Sequence, residues 1–137
     1  MTPRASIAAA CERRGVAAVV DGCIALIRGG DADPALVAAL GGPGQERYLD
    51  APEEQRYWLR VWGARGLLWA LQTGADDPRV AAAVEGALGD GHWRVREMAA
   101  KVAARHRIES AQPALAQLLT DENARVRAAA ARAVRVL

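Results

Sequence analysis

Apolar residues recur along this chain at helical spacing, and few stretches show the two-residue alternation of a strand. Between positions 92 and 106, Val95, Met98, Ala99, Val102 and Ala103 fall at i, i+3, i+4, i+7 and i+8. That spacing gathers them on one side of a helix, as burial requires. Between 123 and 136 the stripe is written again by Val126, Ala129, Ala130, Ala133 and Val134, with Leu137 beyond. A charge in place of Val102, or of Leu118 in the preceding segment, is expected to break the packing, because it would be buried without a partner.

The punctuation between stripes is legible. Thr2-Pro3 supplies an N-cap followed by proline at the first helical position, and that helix should stop near Gly15. A second runs from about 16 to 28, before Gly29-Gly30. Asp33-Pro34 opens a third, closed by Gly41-Gly42, and residues 41–50 read as a Gly-rich loop. Asp50 and Glu53 have the spacing of a capping box; they predict a long helix reaching about Gln72 and ended by Gly74. Asp77-Pro78 opens the next, which stops near Gly89, and helices at 92–106, about 110–119 and 123–136 complete the chain. Eight helices with short loops and no linker predict one all-α domain over 1–137, built of about four antiparallel helix pairs. The helix starts at 33, 77 and Gln112-Pro113 are 44 and 35 residues apart, close to the roughly 40-residue period of helical repeat arrays.

Composition agrees. The 137 residues include 32 Ala and no Phe, which favours helices packed closely. A chain of this length buries roughly two-thirds of its unfolded surface.

One segment is written twice. Asp90-Gly-His-Trp-Arg-Val-Arg-Glu recurs 31 residues later as Asp121-Glu-Asn-Ala-Arg-Val-Arg-Ala. A fixed period in this range marks a stacked-helix solenoid. With Asp followed by Val-Arg at the same offset in both copies, the chain resembles HEAT-repeat proteins over most of its length, most strongly at 90–137. The resemblance implies a HEAT-like α-solenoid serving as a protein-binding scaffold or adaptor, without catalysis. It also implies that Asp90, Arg96, Asp121 and Arg127 form a hydrogen-bonded ladder that holds adjacent repeats in register. A carboxylate–guanidinium pair suits that task because it can be bidentate.

All four Trp lie between 58 and 93. Trp58, Trp62, Arg65 and Trp69, spaced +4, +3 and +4, share one helix face. Tyr57, Val61, Ala64, Leu68 and Leu71 form an adjoining face, so the helix is apolar around most of its circumference. Such a stripe packs in a core, or it presents indoles and a guanidinium as an interface hot spot or base-stacking platform. Trp58, Trp62, Arg65, Trp69, Trp93 and Arg94 are therefore the candidate binding residues.

From Asp90 onward the chain also resembles HEAT-like DNA alkylation repair proteins, on Trp93, Glu97 and Val126-Arg127. In that group's glycosylases an aromatic cradle and a carboxylate face a cationic alkylated base. The resemblance would make Trp93 and Glu97 the catalytic pair and DNA the partner. Only about 45 residues carry it, and those enzymes are longer. Residues 91–137 hold nine Lys/Arg against four acids, a balance of +5, which draws anionic partners or simply decorates exposed helix faces.

Other chemistry is not written in the chain. His92 and His106 lie 14 residues apart with no ligand cluster, so neither a metal nor another cofactor is expected. Gly41-Gly-Pro-Gly lacks the Lys-Ser/Thr of a phosphate loop. Cys11 and Cys23 sit in apolar surroundings outside any CxxC pattern, as core residues of a reducing compartment would. No apolar run nears the roughly 20 residues of a membrane span and no signal sequence is apparent. A cytoplasmic protein follows as the expectation. The final helix is expected to lack a following partner helix, so self-association through its apolar stripe, or docking on another protein, is a further expectation.

Overall fold

Most of the caps form where the sequence places them. In the computed structural model, which describes residues 1–72 and 76–137, Thr2 Oγ1 accepts from the Ala5 amide at 3.1 Å and opens α1, Pro3–Arg14. Asp33 Oδ1 accepts from Ala35 N at 2.9 Å and opens α3, Pro34–Gly41. Asp77 Oδ1 accepts from Arg79 N at 2.9 Å and opens α5, Pro78–Leu88. Between them lie α2, Val16–Ile27, and α4, Tyr57–Ala70. The chain finishes with α6, Trp93–His106, α7, Gln112–Leu118, and α8, Ala124–Val136. The described residues form no strand. The fold is all-α, and the eight α-helices among the described residues follow one another as four pairs.

The helix expected from Asp50 is shorter, and its capping box does not form. Gln45–Asp50 is a 3-10 helix, Ala51 is extended (φ −82°, ψ 158°), Glu53–Gln55 is a second 3-10 turn, and the α-helix starts at Tyr57. The cause is Pro52, whose ring pushes the preceding residue out of the helical region. Arg56 secures the irregular stretch, donating to Leu49 O at 2.6 Å and to Asp31 Oδ1 at 2.7 Å. The expected stop at Gly74 lies outside the described residues.

The chain parts into two compact units, Met1–Leu71 and Gln72–Leu137. In the first, α1 packs on α3 and α2 packs on α4, so two helix pairs stack like on like. Ile7, Val19, Cys23, Leu26, Val37, Leu40, Leu59 and Leu67 form its core. The α2–α4 seam is made by absent side chains. A Cβ at Gly63 would lie 2.7 Å from the Cys23 carbonyl oxygen, and one at Gly66 would overlap Cys23 Sγ. Two glycines one turn apart thus let the backbones nearly touch, at a cost in helix propensity of about 1 kcal/mol each.

In the second unit α5 packs on α7 and α6 on α8. Val84, Leu88, Val95, Val102, Leu115 and Val126 are buried between them, joined by Ala99, Ala130 and Ala133. Val126, Ala130 and Ala133 of the α8 stripe are buried here, against α6 and α7, while Ala129 and Val134 are half-buried and Arg125, Arg127, Arg132 and Arg135 are exposed. Val102 is fully buried and Leu118 is 7% exposed, so both charge substitutions named above fall in the core. No helix among the described residues is long and apolar enough to cross a membrane.

Candidate functional site

In the first unit the aromatic residues of α4 meet a segment that helical spacing cannot anticipate. Trp58 and Trp62, one turn apart, stack with centroids 5.2 Å apart and planes at 20°. Tyr48, carried in by the 3-10 helix, packs tilted at 34° against Trp58 with centroids 6.2 Å apart, and Tyr57 is tilted at 35° to it at 5.1 Å. Guanidiniums close both ends: Arg47 lies 4.6 Å from the Tyr48 ring centre and Arg65 4.6 Å from that of Trp62, within reach of cation–π attraction. Tyr48, Trp58 and Trp62 are each half-buried. The result is an aromatic ladder on a rigid helix, with arginine at either end.

Arg65 has a second task. Its Nε donates to Leu40 O and its Nη2 to Gly41 O, both at 3.0 Å. It thereby neutralises the carbonyl end of α3, where a cation is favoured. Burial lowers its pKa, but a guanidinium remains charged at neutral pH. Trp69, the last residue of the expected stripe, is paired elsewhere, with Arg4 of α1 at 5.2 Å from its ring centre. The ladder thus gathers Trp58, Trp62 and Arg65 but not Trp69.

In the second unit the two copies of the Asp…Val-Arg segment repeat bond for bond. Asp90 Oδ1 accepts from His92 N at 2.8 Å, and Asp121 Oδ1 accepts from Asn123 N at 2.9 Å. His92 Nδ1 caps α6 by accepting from Arg94 N; Asn123 Oδ1 caps α8 by accepting from Arg125 N. Arg96 Nη1 donates to Asp90 O at 2.9 Å, and Arg127 Nη1 to Asp121 O at 2.7 Å. The copies are then joined: Arg96 Nε and Nη2 donate to the two carboxylate oxygens of Asp121, at 2.9 and 3.2 Å. Both side chains are nearly buried, at 12% and 9% exposed. Burial works to raise the Asp121 pKa, but the Asn123 amide, Arg96 and Arg127 outweigh it and hold the carboxyl below its usual value.

Trp93 and Glu97 lie beside that bridge, and both are engaged with cations of the chain itself. Arg125 Nε donates to Glu97 Oε2 at 2.9 Å, and the Glu97 side chain is only 12% exposed. Arg94 and Arg125 place their guanidinium carbons 4.4 and 5.5 Å from the Trp93 ring centre, and His92 stacks on it at 6.1 Å. The groups that an alkylated base would need are occupied by arginine.

Sequence reasoning missed Tyr48, Arg47, Arg4 and Arg125. Arg125 carried a signal, since it stands 28 residues from Glu97, within one repeat period. Tyr48 carried none. No group of His, Cys, Asp and Glu among the described residues could hold a metal ion.

A family model describing HEAT repeats matches residues 60–135, more than half of the chain. No curated protein matches the chain, and no solved structure does.

Proposed function

Since the chain belongs to the HEAT-repeat family, we propose that it is a non-catalytic scaffold or adaptor whose first unit grips a partner protein through the aromatic ladder Tyr48–Trp58–Trp62. Stacked HEAT pairs are helical scaffolds that typically bind other proteins, on surfaces held rigid by stacking. The observation that carries the proposal is the ladder itself: half-buried rings in series, Tyr48 tilted against a stacked Trp58–Trp62 pair, with Arg47 and Arg65 over the outermost ones. Aromatic and arginine side chains dominate binding energy at protein interfaces. Rings already locked by neighbours lose little entropy on binding.

Two further points fit. Val126, Ala130 and Ala133 of the α8 stripe are buried inside their own unit, so self-association through them is not part of the proposal. Neither cysteine forms a disulfide, as suits a reducing compartment such as the cytoplasm.

The test is site-directed photocrosslinking in extract of the source cell. A benzophenone amino acid at position 48 should give a protein adduct of one defined mass. The same label at exposed Ala82 on α5 should not. Trp62→Ala should reduce the adduct at 48. Equal labelling from both positions, or none at 48, would sink the proposal. A DNA mobility shift that weakens steeply with salt would instead favour nucleic-acid binding.

A further inference from the structure

The 31-residue repeat lets the faces of α8 be compared with those of α6. Equivalent positions on α6 and α8 can be compared for burial, since the Asp turn, the cap and the first Arg bond of the two copies match. Val95 and Val126 are both buried, as are Ala99 and Ala130; they face the core of the unit. Four other positions change. The Arg96 side chain is 12% exposed and Glu97 equally so, but Arg127 and Ala128 are exposed. Ala100 and Ala103 are fully buried, but Ala131 and Val134 are only half-buried. These positions run i, i+1, i+4 and i+7, one helix face. On α6 that face is covered by α8. On α8 nothing among the described residues covers it to the same depth.

At its head stands Arg127. Arg96 uses Nη1 for the carbonyl that starts its own repeat and commits Nε and Nη2 to Asp121 of the next. Arg127 makes the first bond, to Asp121 O, and no carboxylate among the described residues takes its other two donors. The internal pair therefore defines the group that would complete the Arg127 fork: an aspartate lying just ahead of a helix, at the position that Asp121 holds for Arg96.

We propose that the Arg127–Ala128–Ala131–Val134 face of α8 is a docking surface for a helical hairpin of another protein, seated as α7–α8 seats on α5–α6, with an aspartate at the start of its second helix bonded by the Arg127 fork. The interface continues the α6–α8 contact by one repeat. Charge selects an acidic partner, because Arg127, Arg132 and Arg135 are all exposed on α8 within a segment of balance +5. A second copy of this chain is a poor occupant, since its Asp121 is already held by Arg96. The proposal rests on the scaffold reading, and adds a second surface and the chemistry of what it takes.

The probe is a synthetic peptide of residues 107–137 carrying Arg132→Glu and Arg135→Glu, labelled at its N-terminus and titrated with the full chain by fluorescence anisotropy. Binding should weaken about tenfold or more with Arg127→Ala, the scale of a lost charge-assisted hydrogen-bonded pair. The peptide's own Asp121→Asn should do the same, and the two changes together should do no worse than either. Arg127→Lys should restore little, lacking the planar fork. Binding indifferent to Arg127 overturns the proposal. If the peptide does not bind, a chain extended by a second copy of 107–137 decides. The added copy should gain helical ellipticity that Arg127→Ala removes, and no such dependence overturns it. Crosslinking at position 48 is read out in the other unit, so loss of one result leaves the other standing.

Discussion

Alanine is a better helix former than glycine, so an exposed helical glycine is normally improved by the exchange; Gly63 and Gly66 should behave in the opposite way. At Gly63 the new methyl would sit 2.7 Å from the Cys23 carbonyl oxygen and 3.1 Å from Ile27 Cγ1 and Leu26 Cβ. The oxygen belongs to the backbone of α2 and cannot swing aside, so the helices must part by roughly half an ångström, which a close-packed interior resists. Overpacking of this kind costs about 1–3 kcal/mol, against about 1 kcal/mol gained in propensity. Gly63→Ala should therefore gain nothing and destabilise by up to about 2 kcal/mol. Gly66→Ala should cost as much, because its methyl meets Cys23 Sγ and lies 2.8 Å from Leu40 Cδ2, and neither Cys23 nor Leu40 has exposed surface to retreat into. The double variant should fall short of the sum, since both methyls are relieved by one movement of α2. Gly86 in α5 is the internal control. An added Cβ there meets nothing within 4 Å, so Gly86→Ala should stabilise by about 0.5–1 kcal/mol. Urea unfolding followed by ellipticity at 222 nm measures all four. If Gly63→Ala raises the midpoint as Gly86→Ala does, the seam is not limited by backbone approach and the reasoning fails.

Two other outcomes follow from buried groups. Removing either member of the Arg96–Asp121 pair strands the other nearly buried; Arg96→Ala and Asp121→Asn should each cost about 2–4 kcal/mol, with a coupling of about 1–3 kcal/mol in the double-mutant cycle. Asp121 titrates lower folded than unfolded, so its contribution is complete above the unfolded value near pH 4 and fades as pH falls through the folded one. The Asp121→Asn chain should lose less stability than wild type in that acid range, and parallel acid limbs would contradict the assignment. Burial, and then the neighbouring Cys11, push the Cys23 thiol up to about 12, whereas Cys11 is raised by a partial burial only. Iodoacetamide should modify Cys11 slowly in the native chain and Cys23 only after unfolding, as peptide mapping would show; equal rates would refute this.

What the sequence disclosed, and what it hid, divides by range. Thr2-Pro3, Asp33-Pro34 and Asp77-Pro78 act within three residues, and each caps the helix it announces. The duplicated Asp…Val-Arg segment carried its own key, because repetition turns a contact 25 residues long into a local pattern. The Asp50–Glu53 box misled because its spacing is right but Pro52 holds Ala51 extended between them. The aromatic stripe was half legible. Helical spacing put Trp58, Trp62, Arg65 and Trp69 on one face, but which neighbours reach that face depends on distant segments. Tyr48 comes from a turn and Arg4 from the first helix, while Arg65 is drawn to carbonyls 24 and 25 residues earlier. No periodicity encodes those meetings.

The glycine seam also governs how the first unit can move. Packed helices ordinarily relieve stress by sliding, with side chains shifting between rotamers as they pass. At Gly63 and Gly66 there is no side chain to shift: the Cys23 carbonyl and thiol sit where only hydrogen fits. A slip of one residue along α4 would bring Trp62, Ala64, Arg65 or Leu67 into those two seats. The seam therefore opposes sliding at two points, and a load on the aromatic ladder of α4 should move α4 and α2 together.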